Sequence, residues 1–147
     1  MKTIMVAFYK KTAPNADWTD KIIAWWTKGL YSHTELIIQD EMYSTSPRDK
    51  KVRKKKHIHD TKTWDYLSIE VTEEGYKNFL NFYEQTKDLK YDWSGIFGFI
   101  SPFSDREDKY FCSEWVSKAL IIMGVSKLFS IEPSKTSPNR LYRLLNK

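Results

Sequence analysis

The chain contains a single cysteine, Cys112, so no internal disulfide can hold a fold together. A chain of 147 residues must then draw its stability from a buried apolar core. The material for one is present: 41% of residues are hydrophobic and 16% aromatic, with six Trp, nine Tyr and eight Phe. Disordered chains are poor in aromatics. Five Gly and five Pro leave little for flexible linkers. The length suits a single domain over residues 1–147, and the composition excludes fibrous, collagen-like and low-complexity chains.

Charge narrows the partners only mildly. Lys and Arg number 24 against 19 Asp and Glu, a formal +5. Nucleic acid, anionic membrane and wall polymer stay open as partners, and none is obligatory at this charge. The apolar stretch Ile4–Tyr9 is shorter than a secretory leader needs, and no window approaches the length of a membrane span. These features read as a cytoplasmic domain without a transmembrane segment.

Hydrophobic patterning predicts the elements. Residues Thr3–Tyr9 read as a buried strand, and Asp20–Lys28 as a helix capped by Asp17 or Thr19 and closed at Gly29. Ser32–Gln39 and Met42–Thr45 form a hairpin about Asp40 and Glu41. After Pro47 comes a basic run, Lys50–Lys56, read as a solvated loop or an edge strand that repels aggregation. Trp64–Val71 alternates like a strand. Tyr76, Phe79, Leu80 and Tyr83 recur at helical spacing within Glu73–Lys87. The aromatic segment Tyr91–Phe103 reads as a packed loop or short helix, and Ser104–Lys109 as a polar loop. Phe111–Met123 reads as a helix ending at Gly124, and Pro138–Leu145 as a last one. The sum is an α+β fold, an antiparallel sheet packed against helices.

Cys112 opens a helix in this reading. A thiol there faces the positive end of the helix dipole and unpaired N–H groups, which favour the nucleophilic thiolate and can hold an oxyanion. The plain alternative is a buried structural cysteine. Of three histidines, His57 and His59 read as solvated and lack partners for a metal. His33 sits at the start of a strand with Glu35 on the same face. A carboxylate beside an imidazole fixes its tautomer and supports its charged form. Trp25, Trp26, Trp93 and Trp115 could stack sugars or bases, though their spacings fit core positions better. Neither a phosphate-binding glycine loop nor a zinc-ligand cluster is present, so no cofactor and no metal are expected. A second class of reading makes the chain a binding module that applies the Lys50–Lys56 run to an anionic polymer.

Several segments, IIAWWTKGLYSHTEL, MYSTSPRDKKVR, LKYDWSGIFGF, KYFCSEWVSKAL and SPNRLYRLL, resemble in their order the circularly permuted, NlpC-type papain-like amidases (the YaeF/YiiX-like group). The likeness spans Ile22 to Leu145 and extends to small members carried by phages and prophages. In that group the histidine precedes the cysteine, as His33 precedes Cys112 here. The resemblance implies a permuted papain-like fold with the nucleophile at a helix N-terminus, Cys112 as nucleophile and His33 as base. The third position is assigned to Glu35, because Tyr43–Ser46, where some relatives place a polar or acidic group, offers no acid; Ser44 or Ser46 is the alternative. Tyr31, Ser44, Asp92, Trp93 and Ser113 are expected at the substrate, with Glu114 in support. The implied activity is a cofactor-free cysteine hydrolase acting on an amide: a peptide, an isopeptide or a peptidoglycan stem peptide. The alternative is an acyltransferase or thioesterase on a lipid-linked acyl group. A phage-type member would work in the host cytoplasm or the virion.

Overall fold

A computed structural model describes residues 1–12, 29–46, 51–87 and 107–147. The expected helix over Asp20–Lys28 and the aromatic segment Tyr91–Phe103, with Asp92 and Trp93, lie outside the described residues. Five strands, β1 (Lys2–Lys10), β2 (Tyr31–Ile38), β3 (Glu41–Ser46), β4 (Lys51–Lys56) and β5 (Trp64–Val71), form one antiparallel sheet in the order β4-β3-β2-β1-β5. Among the described residues the sheet is joined by three α-helices, α1 (Glu73–Lys87), α2 (Glu107–Ile122) and α3 (Pro138–Leu145). The fold is α+β, and the basic run is its β4 edge.

Alternation along the strands sorts side chains to two faces. On one, Ile4, Val6 and Phe8 of β1, Leu36 and Ile38 of β2, Tyr43 of β3, Val52 of β4 and Val71 of β5 are all buried. They share one cluster with Phe79 of α1, Trp115, Val116, Ala119 and Leu120 of α2, and Leu141 and Leu145 of α3. The hydrophobic effect acts here in the ordinary way, removing apolar area from water. One irregularity breaks the alternation in β2. Tyr9 pairs with His33 but Lys10 pairs with Tyr31, so Ser32 is the extra residue of a β-bulge. Tyr31 is thereby turned onto the core face, where its ring meets Phe8 at 5.2 Å and Tyr142 at 4.8 Å.

Local chemistry sets the helix ends. The Thr72 hydroxyl accepts the Gly75 N–H at 2.9 Å and so caps α1. Within α1, Phe79 is fully buried while Leu80 is 36% exposed. The apolar face runs instead through Phe82, whose ring stacks on Trp115 at 5.5 Å. Gly124, at φ +89, closes α2: its N–H reaches the Ile121 carbonyl and that of Val125 the Leu120 carbonyl, a Schellman motif. Ser137 caps α3 by accepting the Arg140 N–H at 3.1 Å, with Pro138 in the first turn. The start of α2 differs from expectation. It begins at Glu107, inside the segment read as polar loop. Glu107, Asp108 and Lys109 carry no apolar periodicity, yet acidic residues suit the positive end of a helix dipole.

Candidate active site

The site grows from the face of β2 opposite the core. Glu35 is 1% exposed, and a carboxylate so far from water must be paired. Arg53 of β4 supplies the pairing: Nη1 donates to Oε2 at 2.7 Å and Nη2 to Oε1 at 2.6 Å. Oε1 also lies 2.6 Å from Nε2 of His33. Cys112 of α2 is close enough to the imidazole to act on its charge. His33, Glu35 and Arg53 thus stand in one hydrogen-bonded row, with Cys112 near its His33 end.

Sheet register explains how Arg53 reaches its partner. Ser44 of β3 pairs with Arg53, while the β2–β3 ladder runs from Ile38↔Glu41 only to Leu36↔Tyr43. Glu35 and Ser44 are the next residues along. Neighbouring strands lie about 4.8 Å apart, so the guanidinium crosses the whole of β3, over the short Ser44 side chain. Arginine's planar fork fits both carboxylate oxygens, which a lysine cannot do.

The charges in this row support one another. Burial alone pushes the Glu35 carboxyl up, but the Arg53 hydrogen bonds and the His33 charge outweigh it and hold the group below the usual carboxylate range. Burial pulls the His33 imidazolium down. The charges of Cys112 and Glu35, and hydrogen bonds to both, more than reverse this and raise it from 6.5 to about 10. The His33 side chain keeps 21% of its surface exposed, so the site is open to a reactant on that side.

The position of Cys112 corrects one expectation. Because α2 starts at Glu107, Cys112 sits in the second turn, and the unpaired N–H groups belong to the turn before it.

The remaining expected residues are placed as follows. Tyr31 is 5% exposed on the core face; its hydroxyl donates to Asp65 at 2.5 Å. Burial first, and that hydrogen bond second, push its phenol well above the ordinary range. The Asn139 side chain accepts the Tyr31 N–H and donates to its carbonyl. Ser44 is fully buried, with its hydroxyl donating to the Thr34 carbonyl at 2.8 Å. Ser113 is also fully buried and donates to the Thr136 carbonyl. Glu114 is nearly buried and lies 3.3 Å from Lys118. The structure brings together Cys112, His33 and Glu35 and sets Tyr31, Ser44 and Ser113 into packing and backbone support. Asp92 and Trp93 lie outside the described residues.

Two features escaped the sequence reading. Arg53 is the first, and the available signal was a lone arginine in a run of lysines. The second is an aromatic ladder beside His33. Trp64 of β5 stands 6.3 Å from the His33 ring and 6.1 Å from His57. His57, read as solvated, is half-buried and shares a 2.9 Å hydrogen bond with the Tyr66 hydroxyl. His59 stacks on Tyr66 at 4.3 Å and is exposed as expected. Among the described residues no group of three His, Cys, Asp or Glu side chains is arranged to hold a metal ion. Nor is any helix there long and apolar enough to cross a membrane.

Compared with known proteins, the chain matches no family model, no curated protein and no solved structure.

Proposed function

We propose that this chain is a cysteine hydrolase of permuted papain-like fold that cleaves an amide bond through an acyl-enzyme on Cys112. The observation that carries the reading is the 2.6 Å contact between His33 and the buried Glu35, with Cys112 close enough to the same ring to act on its charge. A nucleophile, a base within hydrogen-bond reach and a third group orienting the base are what acyl transfer requires.

In the first half-reaction the Cys112 sulfur attacks the carbonyl carbon, and the imidazolium of His33 gives its proton to the departing amine. The C–N bond breaks and a thioester remains. In the second, His33 takes a proton from water as the hydroxyl oxygen attacks the thioester. The carboxylic acid leaves and the Cys112 thiolate with its imidazolium partner is restored. Glu35 keeps its carboxylate throughout; it orients the ring and supports its positive charge. A peptide or isopeptide amide, a peptidoglycan stem peptide among them, is the substrate class proposed.

A binding module working through the basic run is less well supported. Arg53 turns inward to Glu35, and Lys54 lies 3.2 Å from Glu41, which removes two charges from an open cationic stripe.

Alkylation of Cys112 by iodoacetamide at pH 6 tests the proposal. The wild type is expected to react at least about tenfold faster than His33→Ala, since the thiolate is the reacting species and His33 stabilises it. Equal rates in the two proteins, or an inert Cys112 in both, would overturn the hydrolase reading.

A further inference from the structure

Arg53 is placed in a way that edge-strand charge alone does not explain. Its neighbours Lys51, Lys54, Lys55 and Lys56 are exposed, whereas its side chain is 10% exposed and gives two hydrogen bonds to a buried carboxylate. The row Cys112–His33–Glu35–Arg53 contains two acidic and two basic groups. Removing Arg53 strips the buried Glu35 carboxylate of both guanidinium donors in a place with little water to replace them.

We propose that Arg53 is a positioning residue for the Cys112–His33 pair: by occupying both oxygens of Glu35 it keeps that carboxylate ionised and aimed at His33. This rests on the hydrolase reading above and deepens it. Without the guanidinium the buried carboxyl keeps only the His33 contact against burial, which pushes it toward its protonated form. A protonated Glu35 no longer supports the imidazolium, and the imidazolium no longer supports the sulfur.

Other titratable groups face the same row. Tyr9 of β1 pairs with His33 in the sheet, and Tyr66 of β5 lies across Ala7 from Glu35. His57 feels the Glu35 charge. Lys51 and Lys55 share the Arg53 face of β4 by alternation, and both are exposed. None of these gives the carboxylate two parallel N–H donors.

The test uses the whole chain and two readouts: the rate of Cys112 alkylation at pH 6, and the His33 titration followed by NMR of its imidazole nitrogens. Arg53→Met is expected to slow alkylation about tenfold and to move the His33 titration to lower pH. Arg53→Lys, which restores charge without the fork, is expected to recover part of both. Placed in a Glu35→Gln background, Arg53→Met is expected to change either readout less than about twofold, because the residue acts through Glu35. An unshifted or raised His33 titration in Arg53→Met would overturn the inference, and so would an equal effect with and without Glu35. Should Arg53→Met fail to fold, Arg53→Lys carries the same comparison. The NMR readout does not depend on Cys112 being reactive. An inert Cys112 with the expected His33 shift would sink the hydrolase reading while leaving the Arg53–Glu35–His33 linkage standing.

Discussion

The two faces of β2 are built from alternate residues of one short segment, and they are stabilised in opposite ways. Leu36 and Ile38 face the helices and are buried among Val6, Tyr43, Trp115 and Leu120. Any side chain of suitable size and apolarity could contribute there, because the hydrophobic effect has no direction. His33 and Glu35 face the other way, and Glu35 is just as buried. Its burial is tolerable only because named donors meet both of its oxygens. The core face supplies stability that is spread over many contacts, whereas the row of charges supplies a particular protonation state that depends on each member. That contrast separates the scaffold from the proposed site.

Mutations on the two faces should separate these roles. Trp115→Ala removes the largest fully buried side chain among the described residues and is expected to cost about 3–5 kcal/mol in urea unfolding. The Cys112 alkylation rate in the fraction still folded should change little. Glu35→Gln keeps the shape and loses the charge; about 1–3 kcal/mol is expected, with a large fall in alkylation at pH 6. If Trp115→Ala damaged reactivity as much as Glu35→Gln, the two faces would not be separable.

A smaller effect follows from pH. The His33 imidazolium is raised in the folded chain from 6.5 to about 10, so the stability it contributes is fully present below pH 6.5 and is lost as the pH rises toward 10. Glu35 is lowered from 4.5, so its contribution is present above pH 4.5 and is lost as the solution becomes more acidic. Urea midpoints should therefore fall between pH 6 and pH 9 in the wild type and stay nearly level in His33→Ala. Stopping at about pH 9 keeps exposed tyrosines protonated. A wild-type midpoint that did not move over this range would contradict the ion pairing. The smallest effect belongs to Ser44→Ala, which removes the hydroxyl bridging to the Thr34 carbonyl where the β2–β3 ladder has ended. About 1 kcal/mol is expected, measured by the same unfolding, with His33 titrating as before.

Much of this arrangement was legible before any coordinates, and the reason is physical. Strands β1, β2 and β5 declare themselves through β-branched and aromatic residues, and α2 announces its end at Gly124 because a left-handed residue there favours glycine. The pairing of His33 with Glu35 follows from alternation alone. What could not be read depends on contacts between distant segments. The link from Glu35 to Arg53 needs the registers of two ladders at once. Gly29 looks like a helix cap from its neighbours, yet a Cβ there would fall 2.1 Å from the Asn139 side chain that holds the Tyr31 backbone. At Gly75 of α1, too, a Cβ would meet the Met123 carbonyl at 2.3 Å. The early start of α2 was missed for a different reason: a helix turn without an apolar stripe gives no periodic signal.

The bulge at Ser32 has a consequence for how this segment can change. A strand has a reading frame of two, and Ser32 acts in it as a single-residue frameshift. Upstream of it, Tyr31 obeys the parity of the core; downstream, His33 and Glu35 obey the parity of the charged row. Deleting Ser32 would leave every remaining residue chemically unchanged and still force a choice between Tyr31 and the His33–Glu35 pair for their present faces. An insertion or deletion here is therefore a switch between two incompatible strand phases, and the substitutions to which the segment is tolerant tell nothing about its intolerance to a change in length.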